Sequence, residues 1–163
     1  MQEEALFING VFEDVLRKIL LVQGPLPEHV MYLQPHAGSP IRHLYDNPPT
    51  SEDPVRLYLS TTSSLGEVSY VADIIGIDDK RKLGDDRRNA LNRVIWTLQP
   101  SETGLYPEVR GQECVNLLHI RRLKKLNRPI AVTTLTKTVD DTPIAGVRTT
   151  AGGWSYVRPV DGL

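Results

Sequence analysis

Residues 55–77 read VRLYLSTTSSLGEVSYVADIIGI, and the reading of this stretch decides the fold class. Residues 55–60 alternate and are β-rich, and residues 67–77 put Val68, Tyr70, Ala72 and Ile74 on one face, so both are predicted as strands. The two strands follow one another with no helix between them; a run of small hydroxyl residues, Ser60 to Ser64, fills the interval. Strand ends of this kind place loop donors where ligands bind.

Upstream, apolar residues recur at Ala5, Ile8, Phe12, Val15, Leu16 and Ile19, with Gly24-Pro25 beyond, which predicts a helix over residues 4–21. Residues 29–34 read as a short buried strand, 35–40 as a loop, and 41–45 as one helical turn. Downstream, Ala90, Leu91, Val94 and Ile95 predict a helix over 85–97, with Trp96 on its apolar, core-facing side. Residues 115–120 and 130–135 are expected to be strands, 121–126 a turn or short helix between them, and 152–160 a last strand. The order lacks the regular alternation of a doubly wound sheet. The expectation is a mixed α+β domain with a curled, barrel-like sheet.

The chain of 163 residues has the length of one ordinary domain and shows neither repeats nor low-complexity tails. It is read as a single domain over 1–163, with an N-terminal helix at 1–24 ahead of a sheet domain at 29–160. Apolar residues at 40% and charged residues at 24% argue against a disordered or membrane-spanning chain. The opening residues lack the positive region of a signal peptide, so a cytoplasmic protein with no membrane partner is expected. A single cysteine, Cys114, excludes an intrachain disulfide. Histidines 29, 36, 43 and 119 show no metal-ligand spacing, so neither a metal nor another cofactor is expected.

The net charge of −1 conceals an asymmetry: residues 1–55 carry −5 and residues 110–148 carry +5. Such polarity suits an anionic partner, although a basic run is also an ordinary solvated face. No phosphate-binding glycine loop, dinucleotide fingerprint, nucleophile elbow or zinc-protease motif is present in the sequence. A nucleophile among the 60–64 hydroxyls would need a base that the sequence does not identify, so a turn that caps its own backbone is the simpler reading. Trp154, after Gly152-Gly153, stands beside a turn where a ring can stack on a base or plug the end of the sheet.

Several segments together resemble the EVE domains of the PUA-like group, which also includes the YTH and ASCH domains. They are Tyr32-Leu33-Gln34-Pro35, Leu57-Tyr58-Leu59-Ser60, the strand from Tyr70 to Gly76, Val115-Asn116-Leu117, Pro129, and the closing run from Ser155 to Val160. Tyr32 stands where the family has a tryptophan, and Gln34, Pro35 and His36 replace its Lys-Ser-Glu. The resemblance implies a curled mixed β-barrel flanked by helices whose pocket accepts a nucleobase, often a modified one, from DNA or RNA. On that basis Tyr32, Tyr58, Trp154 and Tyr156 supply rings. Gln34, Ser60, Thr61, Thr62 and Asn116 read polar edges, and Arg121, Arg122, Lys124, Lys125 and Arg128 hold phosphates. A nucleic-acid reader is favoured over an enzyme. Two alternatives stay open: an ASCH-like hydrolase of a modified nucleoside using Thr61 or Thr62 with Lys80 and Glu67, and an interaction module docking through the first helix.

Overall fold

The structure is a computed structural model and describes every residue except 36–38, 100–103, 107, 110–111 and 147–152. The expected loop residue His36, the basic residues Arg110 and Arg148, and Gly152 therefore lie outside the described residues. The elements are β1 (Ala5–Val11), α1 (Glu13–Gln23), β2 (Met31–Leu33), α2 (Arg42–Asp46), β3 (Val55–Thr61), β4 (Glu67–Asp79) and α3 (Asp85–Leu98). They continue with β5 (Glu108–Val109), β6 (Gln112–Glu113), β7 (Asn116–Ala131) and β8 (Trp154–Val157). Six strands form one sheet in the order β2-β7-β4-β3-β1-β8, while β5 and β6 pair separately. Among the described residues, only β1 and β3 pair in parallel. The chain is thus α+β, as expected.

The predicted helix over 4–21 is corrected at its first half. All seven residues of β1 are buried, because Ala5-Leu6-Phe7-Ile8 is a continuous apolar run that feeds both faces of the sheet. Leu6 and Ile8 enter the larger core with Leu16, Ile19, Leu57, Leu59, Tyr70 and Ile74. Ala5 and Phe7 enter the core on the other face with Tyr58, Val71, Leu135 and Val157. A helix-period reading that uses Ala5 and Ile8 passes over Leu6 and Phe7. Gly10 marks the change of structure at φ 79, in a register shift between Ile8 and Val11, and its N–H donates to Ser60 Oγ at 2.8 Å. The helix proper begins at Glu13, with acidic Glu13 and Asp14 in its first turn.

The expected barrel is also corrected: the sheet is open, with β2 and β8 as its two edges. Each edge is covered by something other than a strand. Gln99, at the end of α3, takes the Tyr32 N–H on its Oε1 and gives its Nε2 to the Tyr32 carbonyl, both at 2.9 Å. Gln23, at the end of α1, does the same for Leu123 at 3.1 Å, beyond the reach of the three-residue β2. On the far side, the Thr138 N–H donates to the Tyr156 carbonyl and the Arg158 N–H to the Thr136 carbonyl. Backbone groups that a closed barrel would pair are satisfied locally, which removes the need for closure.

The strand pair β4–β7 also differs from expectation. Residues 121–126 form no turn; they lie inside a single 16-residue strand, and the chain turns only at Val132–Thr134. Three register shifts interrupt the pairing. One of them, between Val68 and Tyr70, puts Val68 in the smaller core while Tyr70, Ala72 and Ile74 stay in the larger one. In α3, Leu91 and Ile95 are buried, but Trp96 is 63% exposed, so its expected core position is overturned. Among the described residues, no helix is long and apolar enough to cross a membrane.

Two outcomes follow from this architecture. Deletion of residues 1–24 removes a strand that lies between β3 and β8, so the truncated chain is expected to lose dispersed amide NMR signals and cooperative unfolding. Retention of both would contradict the sheet order. Gln23→Ala leaves the Leu123 N–H and carbonyl unpaired and is expected to cost about 1–3 kcal/mol in urea denaturation.

Candidate functional site

β1 and β3 end together with Gly10, Ser60 and Thr61, and β8 begins there with Trp154; β4 finishes at the opposite end of the strands, beside Gln34, Asn116 and α2. The candidates from the sequence divide between these two ends. Three of the polar readers are spent on internal bonds. Gln34 is buried; its Oε1 accepts from Lys80 Nζ at 2.9 Å and from the Tyr106 N–H at 3.1 Å, and its Nε2 donates to the Gly104 carbonyl. Asn116 is fully buried, accepting from the Ile41 N–H and the Tyr45 hydroxyl and donating to the Ser39 carbonyl. Ser60 is fully buried between Gly10 and Asn9. These side chains pin loops to the sheet, and their donors and acceptors are already taken.

The expected rings also separate. Tyr58 is fully buried, its hydroxyl accepting from the Val160 N–H at 2.8 Å, and burial raises its pKa. Tyr32 is half-buried against α3 and meets the His119 ring edge-on at 5.2 Å. Trp154 and Tyr156 are two residues apart on edge strand β8, so they share a face. Their ring centroids lie 4.9 Å apart with a 59° tilt. The Tyr156 ring in turn stacks on His43 of α2, at 3.7 Å and 5° between planes. Trp154, Tyr156 and His43 therefore form one row, both β8 rings being half-buried against the larger core.

The row is held from below by polar contacts. The His43 N–H donates to the Tyr156 hydroxyl at 3.1 Å, His43 Nδ1 lies 2.6 Å from Glu4 Oε1, and the Thr138 hydroxyl donates to Glu4 Oε2 at 2.6 Å. Burial raises the pKa of Tyr156, and the Glu4 carboxylate adds to the effect. A cleft of about 580 Å³ opens beside the row, lined by Gln2, Glu4, His43, Asp46, Asp53 and Tyr156 among others. A second cleft of about 410 Å³ lies on the other side of α2, with Tyr45, Asp78, Asp79 and Arg81 in its wall. Neither cleft takes Trp154 or a residue from 60–64 into its wall. Thr61 is buried beside Ser63, and Thr62 is half-buried, its N–H bonded to the Val11 carbonyl. The sequence marks His43 only as a polar surface or ligand-contacting residue and does not single out Glu4, because only the fold brings residue 43 against residues 4 and 156.

The set considered for hydrolysis is dispersed. Thr61 and Glu67 sit at one end of β4, Ser64 donating to Glu67 at 3.1 Å, while Lys80 lies just past the opposite end. Thirteen strand residues at ~3.3 Å each put roughly 40 Å of strand between them. Lys80 is 4% exposed, bonded to Gln34 and to the Tyr106 carbonyl at 2.8 Å; burial pushes its pKa down, with Cys114 partly offsetting this. Among the described residues, no group of three or more His, Cys, Asp or Glu side chains is placed to hold a metal.

The five basic candidates all lie on β7, but three of them meet partners from the acidic first third of the chain. Arg121 and Arg122 pair with Glu28 at 3.2 and 2.5 Å, and Lys125 lies 3.5 Å from Glu13 and over the Tyr70 ring. Lys124 and Arg128 are exposed and form no ion pair among the described residues. The charge polarity is therefore in part an internal match between acidic and basic segments. No protein-family model matches the chain, and no curated protein matches it either.

A further titratable group lies on the α3 side of the sheet. His119 Nε2 is 2.7 Å from Asp78 Oδ2, which also meets Arg87 at 3.2 Å. Gly76 makes room for the ring, since a Cβ there would lie 3.3 Å from two of its atoms. Burial lowers the His119 pKa more than the Asp78 carboxylate raises it. The folded state thus binds this proton less tightly than the unfolded chain, whose imidazole titrates near ~6.5. The contribution to stability is complete above that pH and declines as pH falls through and below it. Urea unfolding at pH 5.5 is expected to show lower stability than at pH 7.5, with a shallower dependence in His119→Asn.

Proposed function

We propose that this chain is a nucleic-acid-binding domain of PUA-like kind that receives an unpaired, often modified base against the rings of β8. The observation that carries the reading is the row formed by Trp154, Tyr156 and His43 beside a cleft of about 580 Å³. Such a volume lies within the range of small-ligand sites. A flat ring accepts any base face, and stacking of one base is worth about 1–3 kcal/mol. That gain offsets the few kcal/mol of unstacking, which is least for a base already single-stranded.

The carboxylates of Glu4 and Asp46 in the cleft wall suit the donor edges of a base, as acidic side chains suit the amino group of cytosine. They repel phosphates, so the strand's backbone must lie outside the cleft. Residues 50–55 connect the two regions: Asp53 and Val55 line the cleft, while the Ser51 carbonyl accepts from Arg121 at 2.6 Å. The reading replaces Tyr58, Gln34, Ser60 and Asn116 by His43 and Glu4 as the groups that meet a base. A binding role is favoured over hydrolysis because the hydroxyls and Lys80 lie at opposite ends of β4.

Fluorescence anisotropy with labelled single-stranded oligonucleotides, plain and base-modified, tests the reading at low salt. Binding is expected, weakening as salt rises, with Trp154→Ala and Tyr156→Ala each losing about 1–3 kcal/mol and Trp154→Phe retaining most of the affinity. Absence of binding across the panel, or variants that bind as tightly as the parent, would overturn it.

A further inference from the structure

Two arginines, Arg56 and Arg122, contact one buried aspartate in the middle of the sheet, and a third, Arg121, is its cross-strand neighbour. Arg56, Asp73 and Arg121 are cross-strand neighbours on β3, β4 and β7. Between Val71 and Asp73 on β4, the partner strand runs from Lys124 back to Arg121, so β7 carries an extra residue there. Arg122 holds a positive φ of 54° in this bulge and brings a second consecutive arginine to the same place. Arg56 Nη1 and Arg122 Nη1 lie 3.4 and 3.5 Å from the Asp73 carboxylate, which is 1% exposed. Arg56 Nε and Arg121 Nε are buried without a hydrogen-bond partner among the described residues. Both Asp73 carboxylate oxygens likewise lack a hydrogen-bond partner among the described residues, so the arginines meet this aspartate as ion pairs and not through aligned hydrogen bonds.

The other acceptor is Glu28, from the loop between α1 and β2, and it spans both β7 arginines. Oε1 meets Arg122 Nε at 2.5 Å and Oε2 meets Arg121 Nη1 at 3.2 Å. Its own side chain is 54% exposed, and Pro27 beside it accepts from the Arg122 N–H at 2.7 Å. An exposed carboxylate bridging two guanidinium forks has the geometry of a bound oxyanion. A phosphate carries the same charge type with more acceptor oxygens, and the planar forks match it in pairs. Lys124, exposed next along the same face, adds a further cation without an ion pair among the described residues.

We propose that Arg121 and Arg122, with Arg56 behind them, form a phosphate site that Glu28 occupies from within the chain and vacates when a nucleic-acid phosphate binds. This deepens the proposed function and rests on it. It assigns the backbone contact to two residues of the basic strand and gives the acidic residue 28 the role of an intramolecular competitor. Because the competitor is tethered, it weakens binding without abolishing it.

The test follows the arginine Nε–H signals by ¹H–¹⁵N NMR in the parent chain and in Glu28→Gln, during separate titrations with a short single-stranded oligonucleotide and with inorganic phosphate. Arg121→Gln serves to assign the signals, and thermal unfolding checks that the variants fold. Shifts of Arg121 and Arg122 are expected with both probes, with Glu28→Gln saturating at roughly two- to fivefold lower concentration, the range set by an exposed ion pair. Oligonucleotide binding that leaves these signals unmoved would overturn the phosphate site and leave the proposed function standing. Phosphate-induced shifts without any oligonucleotide binding would support the anion site and overturn its assignment to nucleic acid. Equal saturation of parent and variant would overturn the competitor role.

Discussion

The pairing of β4 with β7 is the interaction on which the rest of the molecule depends. These are the longest strands, at 13 and 16 residues; β2 pairs with β7 and β3 with β4, while β1 and β8 follow through β3. Their ladder is broken in three places, and each break does something local. One sends Val68 to the opposite core from Tyr70, one raises Arg122 into a positive-φ bulge, and one accommodates Gly76 against the His119 ring. Because β2 is only three residues long, part of the β7 edge would lie bare. Gln23 and Gln99 cover the exposed backbone groups, each pairing one residue's N–H and carbonyl as a neighbouring strand would.

Electrostatics follow from the same framework. The acidic first third and the basic 110–148 segment fold onto each other, so Glu13 and Glu28 meet Lys125, Arg121 and Arg122. Opposite charges far apart in sequence therefore serve to dock one segment of the chain on another. Exposed pairs of this kind contribute little to stability and can exchange partners at modest cost. That exchangeability is what separates a surface ion pair from the buried amide contacts of Gln34 and Asn116, whose loss would leave several buried groups unsatisfied.

Strands β3 and β4, the short helix α2 and the helix α3 were legible in the sequence, because alternation and helical spacing there act without competition. β1 was not: Leu6 and Phe7 are buried on opposite faces, and a strand buried on both sides has no alternation to detect. The open sheet was hidden for a different reason, since nothing in local pattern shows a glutamine side chain standing in for a strand. Of the candidate residues, Trp154 and Tyr156 lie together on β8, a proximity that their two-residue spacing in an extended segment made legible. Polar residues chosen as base readers were often polar because they satisfy buried backbone, as with Ser60 against Gly10. Trp96 shows the converse: a large apolar residue on a helix of apolar spacing faces outward when the buried stripe is as narrow as Leu91 and Ile95.

The ring row on β8 combines these features, since the edge strand leaves Trp154 and Tyr156 half-buried while α2 presents His43 to stack on Tyr156. Its claim to contact a base is tested most directly by fluorescence of a Trp96→Phe variant, in which Trp154 is the sole tryptophan. Titration with a single-stranded oligonucleotide should quench the Trp154 emission saturably, and high salt should restore it. Unchanged emission while anisotropy reports binding would contradict the account.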